Sequence, residues 1–287
     1  MVLSFHPMFL ADKNMICAGR LPGDEERTAI QAADATILPQ GCRRELFEMA
    51  RRHCPRVFPN YAARFDYPGK TGQIRLFRNT GVRYPASEIY NSSDQFADRH
   101  RHRPADLPYP YPFVVKFDWG GEGKTVFLVD SGEQLEAVLA KASDFERTGL
   151  SGFILQEFIA CGSRVLRVVL VGARAVSYWR IGTQDGNSCV SVATGARIDA
   201  DTDPDLQRRA VDAVRRFSQK AQINLAGFDL LYSVRSGDKE PYFLEINYFF
   251  GRRGLGGSQR YYELLNEEIC RWLHRHGLPL HSCRDRN

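Results

Sequence analysis

The chain has 287 residues and a formal net charge of +5, with 43% of its residues hydrophobic and 25% charged. That length supports a sizeable core and more than one subdomain, and the composition excludes disordered and fibrous classes. The arginines are scattered instead of forming an aromatic-studded stripe, so nucleic acid is not an expected partner; a site for a small polyanion accounts for the mild positive balance.

Residues 1–14 carry neither a basic leader nor a long apolar run, and no stretch reaches the roughly 18 apolar residues of a membrane span. A cytoplasmic protein without a membrane partner is expected. The seven cysteines are odd in number and form no C-x-x-C pair, which points to free thiols. Residues 1–66 read as a short α/β parallel-sheet domain: a strand at 15–19, a helix at 23–33, a strand at 35–40 and a helix at 43–53.

Residues 67–155 begin with a helix around 73–78. The basic run at 98–103 sits between polar and proline-rich stretches and reads as a solvated loop. Next comes Phe113-Val114-Val115, an apolar strand closed by Lys116 and followed by Gly120, Gly121 and Gly123. Such a loop lets backbone N–H groups approach phosphate oxygens. Gly123-Lys124-Thr125 imitates the end of a P-loop. However, Asp118 stands where that motif needs glycine, and the loop runs into the apolar strand 126–129 and not into a helix. Strand, glycine loop and strand make a flap. A helix at 132–145 follows.

Residues 156–287 hold strands at 165–171 and 175–179 and a helix at 203–221, with Pro204 and Asp205 as start signals. The segments AGFDLLY and PYFLEINYFFG read as a hairpin, and a C-terminal helix spans 261–274. Strand alternation puts Glu245 and Asn247 on one face. With Asp229 on the partner strand they form an all-oxygen set suited to Mg²⁺, completed by phosphates and water. An acid between AGF and LLY is buried and needs a partner or a metal. Arg252 and Arg253 follow directly and either clamp a substrate carboxylate or form a solvated basic turn.

Taken in order, these segments resemble the ATP-grasp superfamily, and within it the ribosomal S6 glutamate ligase and glutathione synthetase branch, over about residues 65 to 257. The resemblance implies an α+β ATP-grasp fold in which two subdomains, 67–155 and 156–287, clamp a nucleotide behind the N-terminal domain. By that likeness Lys70 and Lys116 hold phosphates, Gly120–Gly123 close over them, and the backbone at Glu157 and Phe158 receives adenine. Arg167 approaches the γ-phosphate, and Asp229, Glu245 and Asn247 bind Mg²⁺, with Mn²⁺ able to substitute. Lys116 and Arg167 are the catalytic candidates, and ATP is the nucleotide.

Three departures bear on the acceptor. The acid near the ribose is missing, and Cys161-Gly162-Ser163-Arg164 stands in a segment one residue shorter. Ser191 replaces an asparagine four residues before Gly195, and the usual small-Pro-Gly turn has become Tyr248-Phe249-Phe250-Gly251-Arg252-Arg253-Gly254. The implied activity is an ATP-dependent carboxylate–amine ligase working through an acyl-phosphate on small-molecule substrates. A phosphotransferase, a thiol ligase and a non-catalytic nucleotide-binding module are the alternatives.

Overall fold

A computed structural model describes residues 1–100, 107–121, 123–182 and 196–279. The departure at Ser191 and Gly195, residues 101–103 of the basic run, and Cys189 and Cys283 lie outside the described residues.

The N-terminal unit is a four-stranded parallel sheet in the order β2-β1-β3-β4. Its strands are β1 (Val2–Ser4), β2 (Lys13–Asn14), β3 (Ala35–Ile37) and β4 (Val57–Phe58), with helices α1 (Asp24–Gln31) and α2 (Arg44–His53) between them. The strand expected at 15–19 does not form. Its place as first strand is taken by Val2–Ser4, fully buried, with Lys13–Asn14 as a two-residue exposed edge. Burial decided this: Val2 and Leu3 fill the core, whereas Ile16 is 70% exposed. On α2, Leu46, Phe47 and Ala50 share the buried face at helical spacing.

A short helix α3 (Ala62–Asp66) leads into α4 (Gly69–Thr80), which starts earlier than its apolar periodicity indicated, so Lys70 lies in its first turn. Asp118 causes this. Its Oδ1 accepts the Thr71 N–H at 2.7 Å, satisfying a donor that the helix start leaves open. Gly69 makes room for it: φ is +69°, and a Cβ there would stand 2.4 Å from the Asp118 carboxylate.

The second sheet, β5-β8-β6-β7, is antiparallel and contains β5 (Ser87–Tyr90), β6 (Phe113–Phe117), β7 (Val126–Val129) and β8 (Phe153–Glu157). Helices α5 (Ser93–His100) and α6 (Gly132–Glu146) cover one face. Because β7 is a strand paired to β6, the P-loop reading is excluded.

The third sheet is also antiparallel, in the order β11-β10-β9-β12-β13. It contains β9 (Arg164–Val171), β10 (Arg174–Ile181), β11 (Arg197–Asp199), β12 (Leu225–Leu231) and β13 (Tyr242–Asn247), with α7 (Pro204–Ala221) before the last hairpin and α8 (Gly257–Arg275) after it. One core joins this sheet to the N-terminal unit and α4 through Phe47, Tyr61, Phe77, Phe217, Phe228 and Phe243. Among the described residues no helix is long and apolar enough to cross a membrane. Cys17, Cys42 and Cys54 are free, but Cys161 and Cys270 are disulfide-bonded. The expectation of free thiols throughout is thereby corrected: sequence spacing does not report which thiols the fold brings together.

Candidate active site

Four side chains stand in a row across four strands. The register sets Tyr178 opposite Arg167, Arg167 opposite Asp229, and Asp229 opposite Glu245. Directly opposed residues project to one face of a sheet, so β10, β9, β12 and β13 each deliver one group. Asn247 lies two residues past Glu245 on that face. Its Nδ2 donates to Asp229 Oδ2 at 3.1 Å, which leaves the amide oxygen for another partner. Arg167 donates through Nη2 to Asp229 Oδ2 at 2.8 Å and through Nε to Oδ1, and both side chains are buried. Opposite Asn247, Gly227 gives the arginine space, since a Cβ there would lie 3.3 Å from Arg167 Cδ.

A β-bulge interrupts the last strand pair just beyond Asp229. Asp229 pairs with Glu245, but Leu230 pairs with Phe243, so Leu244 has no counterpart. Bulges re-aim side chains, and here Leu244 and Glu245, adjacent in sequence, both line the same cleft.

The second sheet and α4 each bring a lysine to the same cleft. Lys116 comes from β6, and its ammonium is pulled down to about 8 by burial, against the attraction of Glu245. Burial also lowers Lys70. Lys70 Nζ donates to the carbonyls of Trp119 and Gly120, each at 3.2 Å, so it holds the base of the flap. Gly120 and Gly123 both adopt φ +77°, and Thr125 Oγ1 closes the turn on the Trp119 carbonyl at 2.7 Å. Burial and the nearby Asp229 raise Glu245.

Two desolvated lysines favour an anion, and a desolvated carboxylate favours a cation. Metal-bound polyphosphate supplies both. The donor set also suits a hard cation: two carboxylates and one amide oxygen. Asp229 accepts from Arg167 and Asn247, yet a carboxylate has about four lone-pair sites and retains capacity. Among the described residues no three His, Cys, Asp or Glu side chains gather as a metal site, here or elsewhere, so the third ligand of this set is the Asn247 amide.

The cleft measures about 480 Å³. Ile74, Val114, Ile154, Phe158, Leu231 and Leu244 give it apolar lining of the kind that takes a planar base. Glu157 and Phe158, the expected adenine residues, both line the cleft. The Glu157 N–H is committed to the Ala86 carbonyl at 2.9 Å, and its Oε1 accepts the Ala86 N–H at 2.8 Å. That N–H cannot serve a base, and Phe158 carries the next one along the chain.

The two arginines of the turn part company. Arg253 lines the cleft and donates to the Ala196 carbonyl. Arg252 turns away and lies over the rings of Tyr261 and Tyr262. Sequence reasoning missed Tyr178 and Arg180. Arg180 also lines the cleft, with Nη1 3.6 Å from Asp229 Oδ2. Their signal was the period-2 spacing on β10, legible only once Arg167 was known to sit opposite.

The RimK-like ATP-grasp domain family matches residues 69–269. The chain belongs to that family. ATP and Mg²⁺ are its cofactors, and the chain is an ATP-dependent ligase by that membership. Solved structures share the fold. A RimK-domain ATP-grasp protein from Sphaerobacter thermophilus superposes with a TM-score of 0.61 at 13% identity, covering 93% of this chain and 98% of that one. The N5-carboxyaminoimidazole ribonucleotide synthetase of Thermotoga maritima gives 0.60 at 14% identity, covering 99% and 70%. The VanG D-Ala:D-Ser ligase of Enterococcus faecalis gives 0.58 at 18%, covering 83% and 72%. No curated protein matches the chain in sequence.

Proposed function

We propose that this protein joins a carboxylate to an amine through an acyl-phosphate, with residues 67–155 and 156–287 clamping the nucleotide and residues 1–66 completing the substrate side. The carrying observation is the convergence of Lys70, Lys116, Arg167, Asp229, Glu245 and Asn247 on one cleft. Magnesium held by Asp229, Glu245 and Asn247 would neutralise phosphate charge. The transfer itself needs positioning and charge neutralisation. Lys70 and Lys116 present point charges to the polyphosphate, and Arg167, fixed by Asp229, directs its remaining donors at the transferred group. The flap anchored at Asp118 excludes water, which otherwise hydrolyses the activated acyl group. The carboxylate oxygen takes the γ-phosphoryl group and ADP leaves. The neutral amine then attacks the acyl carbon, phosphate departs, and the amine's proton passes to solvent.

A non-catalytic module has no physical need to set Glu245 beside Asn247 and Asp229 in the cleft that Lys70 and Lys116 also line, which is why the catalytic reading is preferred. The test is phosphate release from Mg-ATP with pooled carboxylates and amines. Release that requires one of each together supports ligation. ADP formation with a carboxylate alone, without matching phosphate release, supports phosphotransfer instead.

A further inference from the structure

Beside the catalytic cleft lies a second depression of about 690 Å³. Phe249, Gly251 and Arg253 line both, so the two are adjacent. One wall includes Gln40 of the N-terminal unit. In the order β2-β1-β3-β4 the chain's direction of travel reverses between β1 and β3, and α/β sheets take ligands outside the C-terminal strand ends at such a point. His6 lies just past β1 and Gln40 just past β3. Gln40 is committed: Nε2 donates to the Tyr248 carbonyl at 2.9 Å, and Oε1 accepts from the Tyr261 hydroxyl at 3.4 Å. It ties this wall to the turn.

Arg252 supplies the charge. Its guanidinium carbon sits 4.6 Å and 4.5 Å from the ring centroids of Tyr261 and Tyr262, which hold the plane in place. One N–H reaches Ser258 Oγ at 3.4 Å, and no carboxylate among the described residues pairs with it. A guanidinium has five N–H donors, so most of this fork awaits an acceptor. The neighbouring His6 adds no second positive charge, since burial and Arg252 pull it down to about 4 and keep it neutral. Arg64 adds positive potential behind the wall: it is half-buried, stacks on Phe249 at 4.7 Å and donates to the Cys42 carbonyl at 3.1 Å. Phe249 itself is 61% exposed at the junction of the two depressions.

We infer that this depression holds the remote anionic group, a carboxylate or a phosphate, of the substrate whose other end reacts in the cleft. The inference rests on the ligase reading above and adds the class of substrate: one with an acidic group at each end. The reacting carboxylate lies by Arg167 and the metal ligands, the substrate passes Arg253, and its tail meets the fork of Arg252. A monocarboxylate would leave that fork without a partner.

The test uses the full chain saturated with Mg-ADP. Binding is measured by calorimetry for the dicarboxylates from succinate to pimelate, for 4-phosphonobutyrate, and for monocarboxylates of matching length ending in methyl. At least one doubly anionic probe binds roughly ten- to a hundredfold tighter than its methyl-ended counterpart, as expected for a bidentate charge-assisted contact. Arg252→Ala removes that advantage, and Arg252→Lys restores only part of it. Whether the dicarboxylate or the phosphonate gains more identifies the tail. Equal binding of charged and methyl-ended probes across the series overturns the inference, as does an advantage that survives in Arg252→Ala. The rise in melting temperature with Mg-ADP separates the two readings. If it is present and the tail preference is absent, only the tail site falls. If it is absent from the unaltered protein, the ligase reading falls and the tail site with it.

Discussion

Arg167 and Asp229 stand directly opposite each other on β9 and β12 and are joined at two points, Nη2 to Oδ2 at 2.8 Å and Nε to Oδ1. The pair gives the sheet a fixed arginine and the cleft a fixed carboxylate. Neither side chain needs to be ordered when substrates arrive, so less entropy is lost on binding.

Asp229→Asn and Glu245→Gln separate stability from function. Asp229→Asn leaves the buried Arg167 without its counter-charge and costs about 3–5 kcal/mol. Glu245→Gln removes a carboxylate that burial and Asp229 disfavour. Its melting temperature therefore equals or exceeds that of the unaltered protein, while turnover is lost with the metal ligand. Melting curves and phosphate-release assays on both variants check this. A Glu245→Gln protein with full turnover at limiting Mg²⁺ would refute the metal assignment.

Nucleotide binding takes up protons. Lys116 titrates at about 8 in the free protein, against 10.5 as its ordinary value. Its folded-state value is depressed, so between these limits the unfolded chain binds more protons, and Lys116 adds stability as pH rises through that window and removes it as pH falls. A bound polyphosphate raises the value again. Near pH 8 about half a proton is expected to enter per nucleotide bound. Calorimetry of Mg-ADP binding in two buffers of different ionisation enthalpy measures it. Lys116→Met abolishes the uptake, and an unchanged proton count in that variant would assign it elsewhere.

Gly69→Ala strikes the anchor between the flap and α4. The backbone there has φ +69°, and the added methyl meets the Asp118 carboxylate at 2.4 Å. Strain and the lost cap together cost about 1–3 kcal/mol. Lys70 is the next residue and loses its place under the flap, so KM for ATP rises more than kcat falls. A variant with unaltered nucleotide kinetics would show that the Asp118 bond does not position the lysine.

Gly227→Ala acts on the carboxylate row from below. Its methyl meets Phe250 Cβ at 3.0 Å and Arg167 Cδ at 3.3 Å. The arginine is displaced while Asp229, Glu245 and Asn247 keep their backbone register. kcat therefore falls while affinity for Mg-ADP, read from thermal shift, holds. Equal loss of both would place the effect in the fold as a whole.

The hairpin of Asp229, Glu245 and Asn247 was legible in the sequence because each strand's pattern is local: alternation alone gives the shared face of Glu245 and Asn247. Lys116 and the flap were legible for the same reason, since strand, glycines and strand follow one another without a gap. Tyr178 and Arg180 were not, because their place beside Arg167 is set by the register of β9 and β10 and no short window contains it. Val2–Ser4 was not legible because three residues carry no period, and the run at 15–19 is the longer apolar stretch. The commitment of the Glu157 N–H to Ala86 and the parting of Arg252 from Arg253 are likewise products of tertiary contact.

The bulge at Leu244 has a consequence for the kind of ligand this surface accommodates. In a regular strand, neighbours in sequence look away from one another, and a greasy residue and an acid in succession would serve two different compartments. Here the irregularity turns both inward, so within one residue step the wall changes from oil-like to ionic. A molecule with a flat apolar head and a charged chain meets that change at the junction of its own two halves. Deleting Leu244 would mend the ladder and yield a more regular sheet, and it would erase the boundary that lets one strand address both parts of the ligand.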